Sequence, residues 1–148
     1  MSLRGSYSAR IDDRSRLKIP AEFRRYVESN WGNELFVTSL NGTEARIYPL
    51  PVWQEFEERL RKLGPFNPIR MRLQQVVNFY GQTQTMDAQG RVLVQSPLRE
   101  KAELTKEVTV LGYTDHLFVQ NRERIESAVE TPLSNDELEA LDQLWSRE

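Results

Sequence analysis

The chain has 148 residues, 39% hydrophobic and 28% charged, with a formal net charge of −2 and a mean hydropathy of −0.62. That is the size of one ordinary domain or two very small ones with a modest core; it argues against wholesale disorder, and no run approaches the ~18 apolar residues of a membrane span. Cys is absent and His116 is the only His, which excludes disulfides and thiolate metal sites, argues against His-built metal cages and two-imidazole relays, and makes a reducing cytosol the expected compartment.

The start, Met1 to Gly5, has no apolar run behind it, so no secretory leader is expected. Leu3, Tyr7, Ala9 and Ile11 alternate, which reads as a strand from Leu3 to Ile11. Asp12 to Ser15 is a turn and Arg16 to Ile19 the return strand. Pro20 suits a first helical position and opens a short helix, Ala21 to Val27. Leu35 to Leu40 is a β-rich run, Asn41-Gly42 a hairpin signal, and Ala45 to Tyr48 the return. Pro49 and Pro51 start a helix on which Trp53, Phe56, Leu60 and Leu63 fall at helical spacing, with Arg61 and Lys62 late, as the helix dipole favours. Gly64-Pro65 ends it, and Pro65 to Pro68 is a connector. Residues 69–79 suit a helix with Met71, Leu73, Val76 and Val77 as apolar contacts, but Val76 to Tyr80 reads equally as strand.

The scheme then recurs: a strand to Met86, a turn Asp87 to Gly90, a strand Arg91 to Val94, and a helix from Pro97. Strands Val108 to Tyr113 and Leu117 to Gln120 follow, then a helix Glu123 to Val129. A capping box at Ser134 and Glu137 opens a last helix, whose Leu138, Leu141 and Trp145 form an apolar stripe. That tail is expected to dock on the body or on a neighbour. Apolar-Asp-x-x-x-Arg-apolar-x-apolar occurs twice, at Ile11 to Ile19 and at Met86 to Val94. Phe23-Arg24 answers to Leu98-Arg99, Leu35 to Leu40 to Val108 to Tyr113, and Ile47-Tyr48 to Phe118-Val119. An internal duplication explains the chain better than one large core. The expected class is therefore mainly β with short helices (α+β). Residues 1–68 make a first half with its closing helix and connector, 69–130 a second half, and 131–148 an acidic helical tail.

Charge is uneven. Residues 1–25 carry seven Arg or Lys against three acids; residues 126–148 carry seven acids against Arg147 alone. A basic end on a chain of pI near 5.6 suggests a local anion-binding surface, though a solvated face is the plainer reading. Asp12 and Asp87 can accept hydrogen bonds from backbone N–H groups further round the turn and stiffen it. Gly90 offers the positive φ a tight hairpin needs; Ser15 stands in its place in the first half, at a cost of roughly 1 kcal/mol if the backbone is left-handed. Each following Arg then either pairs with its own Asp or forks onto a phosphate or a guanine edge. Two copies of the pattern, with Arg10, Arg14 and Lys18 around the first, favour anion recognition.

These residues carry a resemblance. Leu3-Arg4-Gly5, Ile11-Asp12 through Arg16-Leu17 and Ile19-Pro20, Tyr48-Pro49-Leu50-Pro51 with Trp53, and Met86-Asp87 through Gly90-Arg91 resemble the MraZ family of bacterial transcriptional regulators. Leu98-Arg99-Glu100, Leu104 and Lys106-Glu107-Val108 are similar too. The likeness spans nearly all of the chain except the acidic tail. It implies two SpoVT-AbrB-like swapped-hairpin units in tandem and ring-shaped homo-oligomers. It also implies binding to double-stranded DNA at direct repeats upstream of the family's own operon, the division and cell wall gene cluster, in the cytoplasm and at the nucleoid. The family's Asp and Arg positions fall on Asp12, Arg16, Asp87 and Arg91. Ser15 departs from the usual Gly, and Phe118 and Gln120 stand where a Glu and a Trp are common.

On that footing the two hairpins are expected to interleave into a pseudo-twofold β-barrel, with neither half folding alone. Arg14, Arg16 and Arg91 would face DNA, with Arg10 and Lys18 mostly on phosphates. A ring would engage repeats about one helical turn (10–10.5 bp) apart. No cofactor, metal, membrane or small-molecule substrate is expected. An enzyme built on Asp12, Asp13, Asp87, Glu44 and His116 has no motif behind it, and His116 reads as a solvated turn residue. The remaining alternative is an oligomeric interaction or scaffold module with incidental DNA binding, using patches from Trp53, Phe56, Tyr80 and Trp145, although packing is their more ordinary use.

Overall fold

The computed structural model describes residues 2–146. In chain order its elements are β1 (Ser6–Arg10), β2 (Arg16–Lys18), α1 (Ala21–Trp31), β3 (Glu34–Thr38), β4 (Ala45–Pro49), α2 (Leu50–Leu60) and α3 (Pro68–Tyr80). Then come β5 (Gln82–Thr85), β6 (Arg91–Leu93), α4 (Ser96–Lys101), β7 (Glu107–Gly112), β8 (Leu117–Asn121), α5 (Arg122–Glu130) and α6 (Asn135–Trp145). The class is mixed α+β. Several boundaries differ from the sequence reading, among them the end of α1, which runs on to Trp31 rather than stopping at Val27. Pro20 caps α1 rather than entering it. Leu63 lies beyond the end of α2. The ambiguous stretch after Pro68 is helix: the Asn67 side chain accepts from the Ile69 and Arg70 amides, and Pro68 at the first position has no N–H to lose.

Six strands form one antiparallel sheet in the order β1-β7-β8-β4-β3-β5, and β2 pairs with β6 alone. The order reads as a palindrome of the two halves. β1 runs along β7 of the other half, β5 along β3, and β4 meets β8 at the centre. Each half therefore lends its first strand to the other. The expected closed barrel is not formed. β1 and β5 are open edges, and their sequences, Ser-Tyr-Ser-Ala-Arg and Gln-Thr-Gln-Thr, are mostly polar and exposed. β1 turns only Tyr7 and Ala9 toward the core and β5 has no apolar residue, too little to close a barrel, and polar edges resist unwanted pairing.

The β2–β6 ribbon caps the main core. Leu17 and Val92 lie directly opposite each other, both buried, at the centre of the pseudo-twofold. They join Ile11, Ile19, Phe23, Met86, Val94 and Leu98 with Leu35, Val37, Val108 and Val110 from the sheet. Alternation along β3 turns Phe36 to the opposite face, where it packs with Trp53 of α2 and Val77 of α3. Trp53 is thus core, and Tyr80 packs at the core's margin. The tail does not dock within the chain: α6 buries no residue, and Trp145 is 71% exposed.

Gly90 illustrates how closely the halves fit. Its φ is +76°, and a Cβ there would meet Cδ of Arg24 at 2.8 Å. Ser15, its counterpart, has φ +62° and accepts a hydrogen bond from Arg99 Nη1 at 2.9 Å. Gly90→Ala should therefore lower stability by about 1–2 kcal/mol through left-handed strain and the displaced Arg24 contact. Ser15→Gly should be close to neutral, because relieved strain offsets a lost bond of similar size. Denaturant melts of both variants check this, and an unchanged Gly90→Ala midpoint would contradict it.

Candidate nucleic-acid interface

The two Asp-x-x-x-Arg segments fold into the same object. Asp12 Oδ1 accepts from the Arg14 and Arg16 amides, both at 2.9 Å, and Oδ2 accepts from Arg16 Nε at 2.8 Å. Asp87 does the same with the Gln89 and Arg91 amides, at 2.9 and 2.8 Å, and with Arg91 Nε at 2.7 Å. Two backbone bonds close each hairpin: Ser15 N donates to Asp12 O and Asp12 N to Arg16 O, and Gly90 N donates to Asp87 O and Asp87 N to Arg91 O. The amide of Arg16 holds the Asp12 carboxyl below the usual carboxylate range, aided by the Arg16 guanidinium against partial desolvation; the amide and guanidinium of Arg91 do the same for Asp87. Both stay ionised at neutral pH.

Each turn is also gripped from the other half. Arg99 Nη1 donates to Asp12 O at 3.0 Å as well as to Ser15 Oγ, and Arg24 Nη2 donates to Ala88 O at 2.9 Å. In sequence these two arginines are only matching basic residues of the repeat. The fold makes them clamps.

Side chains alternate along the ribbon. Leu17 and Val92 point into the core, so Arg16, Lys18, Arg91 and Leu93 share the outer face. Arg16 stands opposite Leu93 and Lys18 opposite Arg91, which separates the Arg16 and Arg91 Cα atoms by roughly 8 Å. Their Nε atoms are engaged by Asp12 and Asp87. Their terminal Nη atoms have no hydrogen-bond partner among the described residues and are directed by that staple. The salt bridge proposed as a bland alternative is therefore present, and it leaves the outer edge of each guanidinium available.

A cleft of about 460 Å³ runs along this face. Arg10, Arg16, Lys18, Arg91 and Lys106 line it together with Asp12, Asp13 and Gln89. Arg14 is exposed on the tip of its turn, outside the cleft. Lys106 escaped sequence reasoning. It comes in because Ile11 N donates to Lys106 O, where β1 meets the other half; only its place before Val108 hinted at it. Fixed spacing of 75 residues sets Arg10, Arg14 and Lys18 against Thr85, Gln89 and Leu93. The basic character of the first 25 residues thus becomes a polarity across the ribbon.

His116 does not fit its reading as a solvated turn residue. It lies in the β7–β8 turn, but its ring stacks on Tyr48 of the other half with centroids 4.4 Å apart, and its side chain is 13% exposed. Burial pushes its imidazole below the ordinary histidine range, against the pull of Asp115. Nothing places it near the cationic cleft. A larger groove of about 650 Å³ runs beside α3, lined by Leu40, Pro68, Ile69, Leu73, Val76 and Tyr80 with Arg72. It is too apolar to receive a polyanion.

Comparison with known proteins places this geometry. Residues 80–144 match the family model described as "MraZ protein, putative antitoxin-like". A protein of Koribacter versatilis named Transcriptional regulator MraZ is 46% identical over 129 residues, 86% of this chain and 88% of its own length. The chain belongs to the MraZ family. A second MraZ relative, from Acidobacterium capsulatum, is 40% identical over 139 residues, 93% of this chain and 95% of its own. A third, from Thiobacillus denitrificans, is 35% identical over 131 residues, 88% of each chain. Both carry the name Transcriptional regulator MraZ. The Acidobacterium capsulatum alignment leaves out too little of the chain to miss either turn, so that likeness takes in both. Among the described residues, no helix is long and apolar enough to cross a membrane.

Proposed function

We propose that this chain is a sequence-specific DNA-binding transcriptional regulator that recognises direct repeats upstream of its own operon, a division and cell wall gene cluster. The observation that carries the reading is the outer face of the β2–β6 ribbon: two stapled arginines, Arg16 and Arg91, in a cleft with Arg10, Lys18 and Lys106. A two-stranded ribbon fits the ~12 Å major groove, and Arg is the side chain best matched to guanine O6 and N7. Arg10, Lys18 and Lys106, with no staple of their own among the described residues, suit phosphates. The family relatives' name supports the same reading.

Its architecture reads as two SpoVT-AbrB-like swapped-hairpin units, residues 1–68 and 69–130, followed by the tail 131–148. The exchange of β1 and β5 between halves supports this. Copies assemble into a ring, so that neighbouring ribbons engage successive repeats and effective concentration supplies affinity. Exposed Phe66, Ile69 and Phe79 around α3, and the undocked α6, support self-association. The reading needs no catalysis and no cofactor. A protein working this way belongs in the cytoplasm, at the nucleoid.

The same apolar surfaces suit an interaction module that meets DNA only incidentally. A titration of the purified protein against repeat-bearing duplex over a range of salt decides between them. The regulator should show log K falling steeply with log salt, by about 0.9 for each phosphate neutralised, and a preference for the repeats over scrambled duplex. A flat salt response, or no preference, contradicts it.

A further inference from the structure

The two turns share the same bonds from the anchoring carboxylate, and two residues after it their exposed side chains differ in kind. Arg14 and Gln89 occupy the same place, two residues after the anchoring Asp. Each has its amide fixed to that carboxylate at 2.9 Å. Each sits between an exposed Asp13 or Ala88 and a left-handed Ser15 or Gly90. Both side chains are exposed, and neither has a hydrogen-bond partner among the described residues. The matching amide anchors launch the two side chains alike, Gln89 into the lining of the cationic cleft and Arg14 at a turn tip beside it, so chemistry and setting together separate what they meet. A guanidinium offers two parallel donors, the complement of guanine O6 and N7. A glutamine amide offers one donor and one acceptor, the complement of adenine N7 and N6.

We infer that Arg14 and Gln89 are the specificity-determining pair of this interface, Arg14 reading a G·C pair and Gln89 an A·T pair, so that one chain recognises an element without dyad symmetry. This rests on the reading of the ribbon face as the DNA surface. Arg16 and Arg91, chemically identical and identically stapled, make the symmetric part of the recognition. Arg14 and Gln89 break it. The first turn is further distinguished by Arg10 and Lys18, where the second has Thr85 and Leu93. The more cationic turn holds phosphates on its side while the second turn has mainly its amide with which to select. An element read this way has a direction, which suits boxes repeated head to tail better than palindromes.

The test is selection of bound sites from random-sequence duplex by the full-length protein, its Gln89→Arg variant and its Arg14→Gln variant. Thermal melts should find all three equally folded, since only exposed tips change. The wild type should select G·C under one tip and A·T under the other. Gln89→Arg should select G·C under both, and Arg14→Gln A·T under both, turning the element into an inverted repeat. Replacing the selected A·T pair by G·C should weaken wild-type binding roughly 10- to 100-fold and leave Gln89→Arg unharmed. If Gln89→Arg binds every sequence more tightly, with a salt slope steeper by about one and an unchanged selected site, position 89 touches phosphate and the inference is wrong. An unchanged site with unchanged affinity overturns it too. If the wild type retains no duplex at all, the reading of the ribbon falls, and this inference with it.

Discussion

Arg16→Ala will weaken binding to repeat-bearing duplex about 10- to 100-fold while leaving the melting temperature nearly where it is. The split between affinity and stability follows from what the side chain touches. Its ion pair with Asp12 is about one-third exposed on both sides, and such pairs contribute about 0–1 kcal/mol. Two of the three bonds that Asp12 accepts come from backbone amides, and an alanine at position 16 keeps them. The turn therefore survives the substitution. What disappears is a guanidinium held in one orientation, and a bidentate contact to a base is worth roughly 1–3 kcal/mol. Arg91→Ala should behave alike, and the double variant should lose more than either single. The check is a binding titration alongside a thermal melt and a sizing measurement. A variant that melts and assembles normally and binds with unchanged affinity removes Arg16 from the interface.

Two fragments cut just before Asn67, the cap of α3, residues 1–66 and 67–148, will each fail to fold as monomers. The loss is the whole stability of the domain, of order 5–15 kcal/mol. β1 pairs with β7, β5 with β3 and β2 with β6, and each of these pairs joins the two halves. Leu17 and Val92, buried against each other, would face water in either fragment. Mixing the fragments should restore the native circular dichroism spectrum. Any structure one fragment gains alone should depend on concentration, because a second copy must supply the missing strands. A cooperative, concentration-independent melt of either fragment contradicts the interleaving.

Much of this arrangement was legible because the duplication keeps its register. Ile11 to Ile19 and Met86 to Val94 repeat at a constant spacing of 75 residues, and an Asp at a turn start has few other ways to satisfy nearby amides. The turns, the left-handed Ser15 and the outward Arg16 and Arg91 followed from that. The family resemblance implied interleaved hairpins, but the individual strand partners did not follow, because alternation says which face is buried and nothing about which backbone lies alongside. Lys106 entered the cleft through that missing information, carried there by the β1–β7 pairing. Arg24 and Arg99 were visible as a repeated basic position, but their grip on the opposite turn depends on the same exchange. His116 was misread because its neighbours Thr114 and Asp115 look like an exposed turn, whereas its burial comes from Tyr48, remote in sequence. The closed barrel failed on the polar edges of β1 and β5. Asn67 settled the α3 stretch through a cap that outweighs the β-rich Val76-Val77 pair.

The absence of cysteine permits a direct test of which face meets the duplex. A single cysteine is placed either at Asp13, on the rim of the cationic cleft, or at Glu57 on the exposed surface of α2. Each variant is labelled with a photoactivated crosslinker and irradiated on repeat-bearing DNA. Crosslinks from position 13 that map inside the repeats, with position 57 silent, are the predicted result. Efficient crosslinking from position 57 with none from position 13 would mean that DNA lies against another face, and that the paired turns are not what grips it.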